Sequence, residues 1–254
     1  MSSNTTLRVV LVAVVSIASA WTTAAAGPKT TTLDTDPHLV GWWKFDETGG
    51  KTAGDSSKFK HNGTLVGELA FDKNSVEGKI GRALKFTGGD GMVEIKGYKG
   101  ITGTKPRSVT AWIRTKKNGG EIIAWGESDF GKMFYCRFIR GRIGVTPDGG
   151  YLYMKEYIND DKWHHIAAVV HEAELPNLYD HVKLYLDGEV AVIDDIGLLD
   201  LWPINTGNKI DVRIGRGYVG LIDDLRLYDR PLSEDEVKAL YQLKSNQPLP
   251  KPKK

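Results

Sequence analysis

The sequence predicts an all-β protein, a two-sheet antiparallel sandwich with a short C-terminal helix, and three observations predict it. Thirteen short segments rich in Val, Ile, Trp, Tyr and Phe recur along the chain, with Gly, Asp and Asn clusters between them. One stretch alone, near the C-terminus, carries an apolar stripe at helical spacing. Short β-rich runs bounded by turn residues are strand signals, and so many strands need two packed layers to bury their apolar faces.

In chain order the expected strands are Val40–Phe45, Gly63–Leu65, Arg82–Phe86, Met92–Ile95, Ser108–Thr115, Glu121–Trp125, Met133–Ile139, Arg142–Thr146, Trp163–Val170, His181–Leu186, Glu189–Ile193, Asp211–Ile214 and Gly220–Tyr228. Asp187-Gly188 between two of them predicts a tight hairpin, because that turn needs positive φ at both central positions. Pro147-Asp148-Gly149-Gly150 predicts a second reversal. Both faces of Trp163–Val170 are largely apolar, which places that strand deep in the sandwich. Along Gly220–Tyr228, strict alternation puts Leu221, Asp223, Leu225 and Leu227 on one face, expected to point into the core. The helix is expected after Ser233: Ser233 and Glu236 form a capping box, and Val237, Leu240 and Tyr241 make the stripe.

The first 26 residues read as a signal peptide. Arg8 supplies the positive charge, Val9 to Trp21 an apolar run, and Ala24-Ala25-Ala26 the small residues of a cleavage site. The run is shorter than the ~20 apolar residues of a membrane span. Export is therefore expected, to the periplasm or outside the cell, with no membrane attachment after cleavage. Residues 27–38 follow as a linker, 39–243 as one domain and 244–254 as a Pro/Lys-rich tail. The chain carries one cysteine, Cys136, so no disulfide can staple the fold. Its formal charge is +2 with basic residues scattered along it, which argues against a nucleic-acid partner.

Four segments together resemble the laminin-G-like jellyroll domains of the concanavalin A-like lectin and glucanase superfamily. They are Val40-Gly-Trp-Trp-Lys-Phe-Asp-Glu47 with Gly54-Asp-Ser-Ser57 and His61-Asn-Gly-Thr-Leu65; Gly81-Arg-Ala-Leu-Lys-Phe86; Trp163-His-His-Ile-Ala-Ala-Val169 with Val182-Lys-Leu-Tyr-Leu-Asp-Gly188; and Ile214-Gly-Arg216 with the stretch from Gly220 to Glu236. The resemblance spans residues 40–243. It implies a jellyroll sandwich, a fold that hosts lectins, receptors, hydrolases and scaffolds alike.

The resemblance also implies a structural calcium where the first and last strands meet, with Asp223 and Asp46 as metal ligands. A carboxylate on a core-facing strand needs compensation, which gives Asp223 a physical motive. Calcium takes six to eight oxygens, so carbonyls and water would complete the shell. Strand parity sets Asp46 opposite Trp43 and Phe45 unless the strand ends or bulges there. The alternative is that Asp46, Asp55 and Asp223 only satisfy turn amides.

Catalytic acids are not visible. Glu127-Ser-Asp129 holds the first two acids of the glucanase pattern, but Lys132 stands where the third belongs. His164 and His165 point to opposite faces and cannot chelate together. Trp125, Tyr135, Tyr151, Tyr153 and Trp202 lie near strand ends or loops, where aromatic rings either pack or stack on sugars, and none is assigned to a sugar site. The functional expectation is an exported, non-catalytic binding or scaffolding module contacting carbohydrate or surface proteins. The alternative is a glycoside hydrolase or lyase with an unrecognised active site.

Overall fold

The structure, a computed structural model, describes residues 33–197 and 203–243. The expected signal peptide, the start of the linker, Trp202 and the tail lie outside the described residues. The strands are β1 (Leu39–Trp43), β2 (Thr52–Ala53), β3 (Gly63–Val66), β4 (Ser75–Glu77), β5 (Arg82–Thr87), β6 (Met92–Ile95), β7 (Arg107–Arg114), β8 (Gly119–Gly126), β9 (Met133–Ile139), β10 (Arg142–Thr146), β11 (Tyr151–Met154), β12 (His164–Val170), β13 (Val182–Leu186), β14 (Glu189–Val190), β15 (Ile193–Gly197), β16 (Ile210–Ile214) and β17 (Val219–Tyr228). The helices lying wholly among the described residues are α1 (Phe71–Asn74), α2 (Leu178–His181) and α3 (Glu234–Tyr241).

Among the described residues the strands form two antiparallel sheets. The eight-stranded sheet runs β14-β13-β12-β7-β17-β5-β4, with β1 also paired to β17. The nine-stranded sheet runs β15-β11-β10-β9-β8-β16-β6-β3-β2. The Asp187-Gly188 hairpin forms as expected, with φ of 50° and 84° and Leu186 opposite Glu189. Four short strands escaped the sequence reading in whole or part. β2 and β4 are only two and three residues long. β11 follows the Pro147–Gly150 turn directly. The expected Glu189–Ile193 strand divides, because Ile193–Gly197 crosses to pair with β11 in the other sheet.

Between the sheets lies one apolar core, to which Trp43, Phe45, Phe86, Val109, Trp125, Phe134, Ile166, Leu225 and Leu227 contribute. A second cluster covers the outside of the eight-stranded sheet. There Trp42, Ala167, Val169, Tyr185 and Tyr228 meet Leu232, Val237 and Leu240 from α3 and the stretch before it. The capping box starts α3 as expected: Ser233 accepts from the Glu236 amide, and the Glu236 side chain accepts from the Ser233 amide. Residues 33–38, expected as linker, are docked here too. Leu33 is buried, Asp34 pairs with Arg226, and Asp36 with Arg230.

The expected leucine face of β17 is corrected. Asp223 lies opposite Trp112 and Arg226 opposite Thr110, so β17 spends three steps where β7 spends two. The extra residue is a bulge, with Asp224 at φ 48°. A bulge reverses which face the following residues point to. Ile222, Leu225 and Leu227 therefore enter the core, while Leu221 and Asp223 point outward. Strict alternation fails at one residue, and that residue redirects the aspartate.

Candidate functional site

The bulge divides one edge of β17 between two partners: Val219–Ile222 pairs with β5, and Leu225–Tyr228 with β1. Asp46 and Asp223 face the seam between those partners. β1 ends at Trp43, Phe45 stands at φ 60° with its ring still in the core, and the chain leaves with Asp46 turned to the loop before β5. Asp46 Oδ1 accepts from the Arg82 amide at 2.7 Å. Asp223 Oδ2 accepts from the amides of Lys79 and Ile80 at 2.7 and 2.8 Å. The two carboxyls grip one turn, residues 78–82, from either side. A Cβ on Gly78 would stand 2.6 Å from Asp223 Oδ2, and one on Gly81 would collide with Asp46 Oδ1.

Both aspartates thus satisfy turn amides, and so does Asp55, which accepts from the amides of Trp42, Ser57 and His61. Asp223 differs in one respect: its Oδ1 is buried with no partner. Burial, reinforced by Asp224, pushes its pKa up to about 9, and burial raises that of Asp46. A cation beside Oδ1 would relieve that cost, and Asp46 and Asp223 would be its two carboxylates, with carbonyls and water as the rest of a calcium shell. Asp224 is otherwise engaged, by Trp42 Nε1 and by Arg226. Among the described residues no three His, Cys, Asp or Glu side chains form a metal cluster.

The other residues weighed in the sequence take ordinary roles. Glu127 pairs with Lys209 and Asp129 with Lys132. His164 sits between Asp187 and Asp160, which raise its pKa, the Asp187 hydrogen bond most. His165 is buried against Trp112 and Tyr241. Trp125 is a core residue whose Nε1 donates to the Ile101 carbonyl.

Three of the remaining aromatics, Tyr135, Tyr151 and Tyr153, lie on the outer face of the nine-stranded sheet. Strand register aligns Glu121, Arg137, Gly144, Tyr153 and Asp195 in one row across β8, β9, β10, β11 and β15. A neighbouring row runs Glu94, Arg213, Ala124, Tyr135 and Thr146. Gly144 is required where it stands, because a Cβ there would collide with the Tyr153 ring, which folds down over it. Tyr151 rises beside Tyr153, centroids 5.8 Å apart, and is 39% exposed. With Arg137, Ile139, Arg140, Thr146 and Asp195 these tyrosines line a depression of about 310 Å³. Sequence reading had flagged Tyr135, Tyr151 and Tyr153 singly. It missed the arginines and Gly144, because the row is a product of register between strands far apart in the chain.

A family model described as the concanavalin A-like lectin/glucanases superfamily matches residues 87–238. No curated protein sequence matches the chain. Among solved structures, domain 4 of AbnA, an extracellular arabinanase from Geobacillus stearothermophilus, in complex with arabinotriose, is similar at TM-score 0.58 and 19% identity, over 80% of this chain and 98% of that one. The botulinum neurotoxin serotype G binding domain is similar at TM-score 0.52 and 18% identity, over 80% of this chain and 50% of that one. The serotype D ligand-binding domain in complex with N-acetylneuraminic acid follows at TM-score 0.50 and 16% identity, over 84% and 52%. At these identities the likeness is one of fold, and it agrees with the sheet order and the matched residues: the chain belongs to the concanavalin A-like lectin/glucanase superfamily.

Proposed function

We propose that the chain is an exported, non-catalytic binding module that takes a saccharide on the outer face of its nine-stranded sheet. The observation that carries this reading is the depression beside Tyr151 and Tyr153, where aromatic rings, guanidinium groups and a hydroxyl converge on a face with no apolar cluster over it among the described residues. Rings offer stacking surface to the C–H face of a sugar, and a few converging polar groups orient its hydroxyls. Two structural neighbours hold arabinotriose and N-acetylneuraminic acid, which supports a saccharide as the ligand.

A non-catalytic role is supported by how the two carboxylates in the row through Arg137 are used. Glycoside hydrolysis needs two free carboxyl groups about 5–9 Å apart. Here Glu121 is bound by Arg213 and Asp195 by Arg142. Calcium at Asp46 and Asp223 would act as a staple between the ends of the chain and take no part in chemistry. The N-terminal signal expected from the sequence agrees with a ligand met outside the cytoplasm.

The test is a glycan array followed by calorimetric titration of the best ligand. A saccharide should bind, and Tyr151→Ala should weaken it about tenfold, the scale of one lost aromatic contact. An array with no bound glycan, or a ligand indifferent to Tyr151→Ala, removes the reading.

A further inference from the structure

Resting on the saccharide reading of the same face, we propose that the depression selects an anionic saccharide and that Arg137 holds its carboxylate or sulfate. The arginines around the site are satisfied unequally. Arg213 binds Glu121 through Nε and Nη2, at 2.6 and 2.9 Å. Arg142, buried, binds Asp195 through Nη2 at 2.5 Å. Arg137 stands between them in the sheet, on β9 beside β10 and β8, and has no ion pair among the described residues. Its Nε is buried and has no acceptor. A guanidinium N–H left without an acceptor is costly wherever water cannot reach it, and an oxyanion in the depression would supply one.

The charges of the lining point the same way. Among the described residues Arg137 and Arg140 are its cations, and its one carboxylate, Asp195, is already committed to Arg142. Asp148 is near enough to feel the charges of Arg137 and Arg213, but it makes no hydrogen bond to either, and burial raises its pKa. The Tyr135 ring packs 5.4 Å from the Arg137 guanidinium and helps fix its plane. A planar fork held in place recognises a carboxylate or sulfate through two parallel bonds, which a lysine cannot do. The Tyr151 ring at the rim would carry the sugar that bears the acid. At about 310 Å³ the site lies at the small end of ligand pockets, so it takes one unit or the end of a chain.

The experiment titrates the full mature chain with three oligosaccharides of matched length: an oligogalacturonate, a sulfated galacto-oligosaccharide and a neutral galacto-oligosaccharide. An acidic ligand should bind at least tenfold more tightly than the neutral one, and its affinity should fall as salt rises. Arg137→Gln should abolish that preference while leaving the thermal melt unchanged. Should Arg137→Gln fold poorly, Arg137→Lys keeps the charge but loses the fork, and it should still lose most of the preference. Which acidic arm binds decides between carboxylate and sulfate. Equal affinity for all three, unchanged by Arg137→Gln, overturns the anionic proposal and leaves the saccharide reading standing. No binding in any arm, with no effect at Tyr151, overturns both.

Discussion

The two sheets of this sandwich turn opposite faces to solvent and treat them differently. On the outside of the eight-stranded sheet, α3 and the segment from Leu33 are packed down over Trp42, Tyr185 and Tyr228, and charged groups there are closed into networks. Arg226 is the centre of one. It binds Asp224 and Asp34, its guanidinium lies 4.1 Å from the Trp42 ring, and Trp42 Nε1 donates to Asp224. On the outside of the nine-stranded sheet the same residue types, Arg beside Tyr, line a depression and leave Arg137 and Arg140 without an ion pair among the described residues. The same chemistry serves stability where it is satisfied and, on the proposed reading, recognition where it is not.

The largest test of that contrast removes one arginine from each face. Arg226→Ala strands the buried Asp224 carboxylate and should cost about 3–5 kcal/mol, the range for breaking a buried pair from one side. Arg137→Ala should change stability by no more than about 0.5 kcal/mol, as at an ordinary surface position. Denaturant melts measure both. Similar losses for the two variants would erase the distinction between a structural and a recognition face.

The seam at Asp46 and Asp223 belongs to the closed side and comes next in size. If calcium binds only the folded chain, a hundredfold excess over Kd should add about 2.7 kcal/mol, seen as a rise in melting temperature that chelator reverses. Asp223→Asn should remove most of the rise. Because burial holds Asp223 up to about 9 without the cation, calcium uptake at neutral pH should release a proton and strengthen as pH rises. Identical melts in chelator and in millimolar calcium would leave both aspartates with the turn amides alone.

What the sequence made legible follows from the range of each signal. The longer strands, the Asp187-Gly188 hairpin and the Ser233 capping box are local patterns, and they appear where the residues put them, while the expected Glu189–Ile193 strand divides. The leucine face of β17 failed because a bulge is one residue of backbone geometry, and Asp-Asp-Leu reads the same with or without it. The calcium candidates Asp46 and Asp223 came from family resemblance. Their convergence on the 78–82 turn depends on that bulge and on Phe45 at φ 60°. The recognition face was least legible. Arg137 and Tyr153 are neighbours only because Gly144 stands between them in register, pairing with both.

Acid should separate the two faces further. His165 lies beneath α3, and burial holds its pKa down to about 4. Its folded value lies below the ordinary 6.5, so the unfolded chain binds the proton more readily. The stability it supports is therefore full above about pH 6.5 and lost as pH falls toward 4. Asp223, held up to about 9, gains stability over the same fall in pH, so the His165 contribution is read as the difference between His165→Leu and the wild type. If the two melting profiles run parallel from about pH 6.5 to 4, His165 is not held neutral under the helix. Asp36 and Glu236, whose pKa values Arg230 hydrogen bonds lower against burial, add their own losses at the acid end, Glu236 from about pH 4.5 downward and Asp36 below it.

The smallest effect is expected at Tyr151, and its smallness is the point. Tyr151 faces Gly197 across the β11–β15 pair, and its ring occupies the space where a side chain on Gly197 would stand. A cross-strand contact of this kind is worth about 0.2–1 kcal/mol. Tyr151→Ala should therefore lower stability by less than about 1 kcal/mol while weakening saccharide binding about tenfold. A buried ring would show the reverse order, with a loss of about 3–5 kcal/mol on truncation. If Tyr151→Ala destabilises the fold on that larger scale, the ring is part of the packing between β11 and β15. The open face would then lose its stacking surface, and the contrast between the two sheets would rest on Arg137 alone.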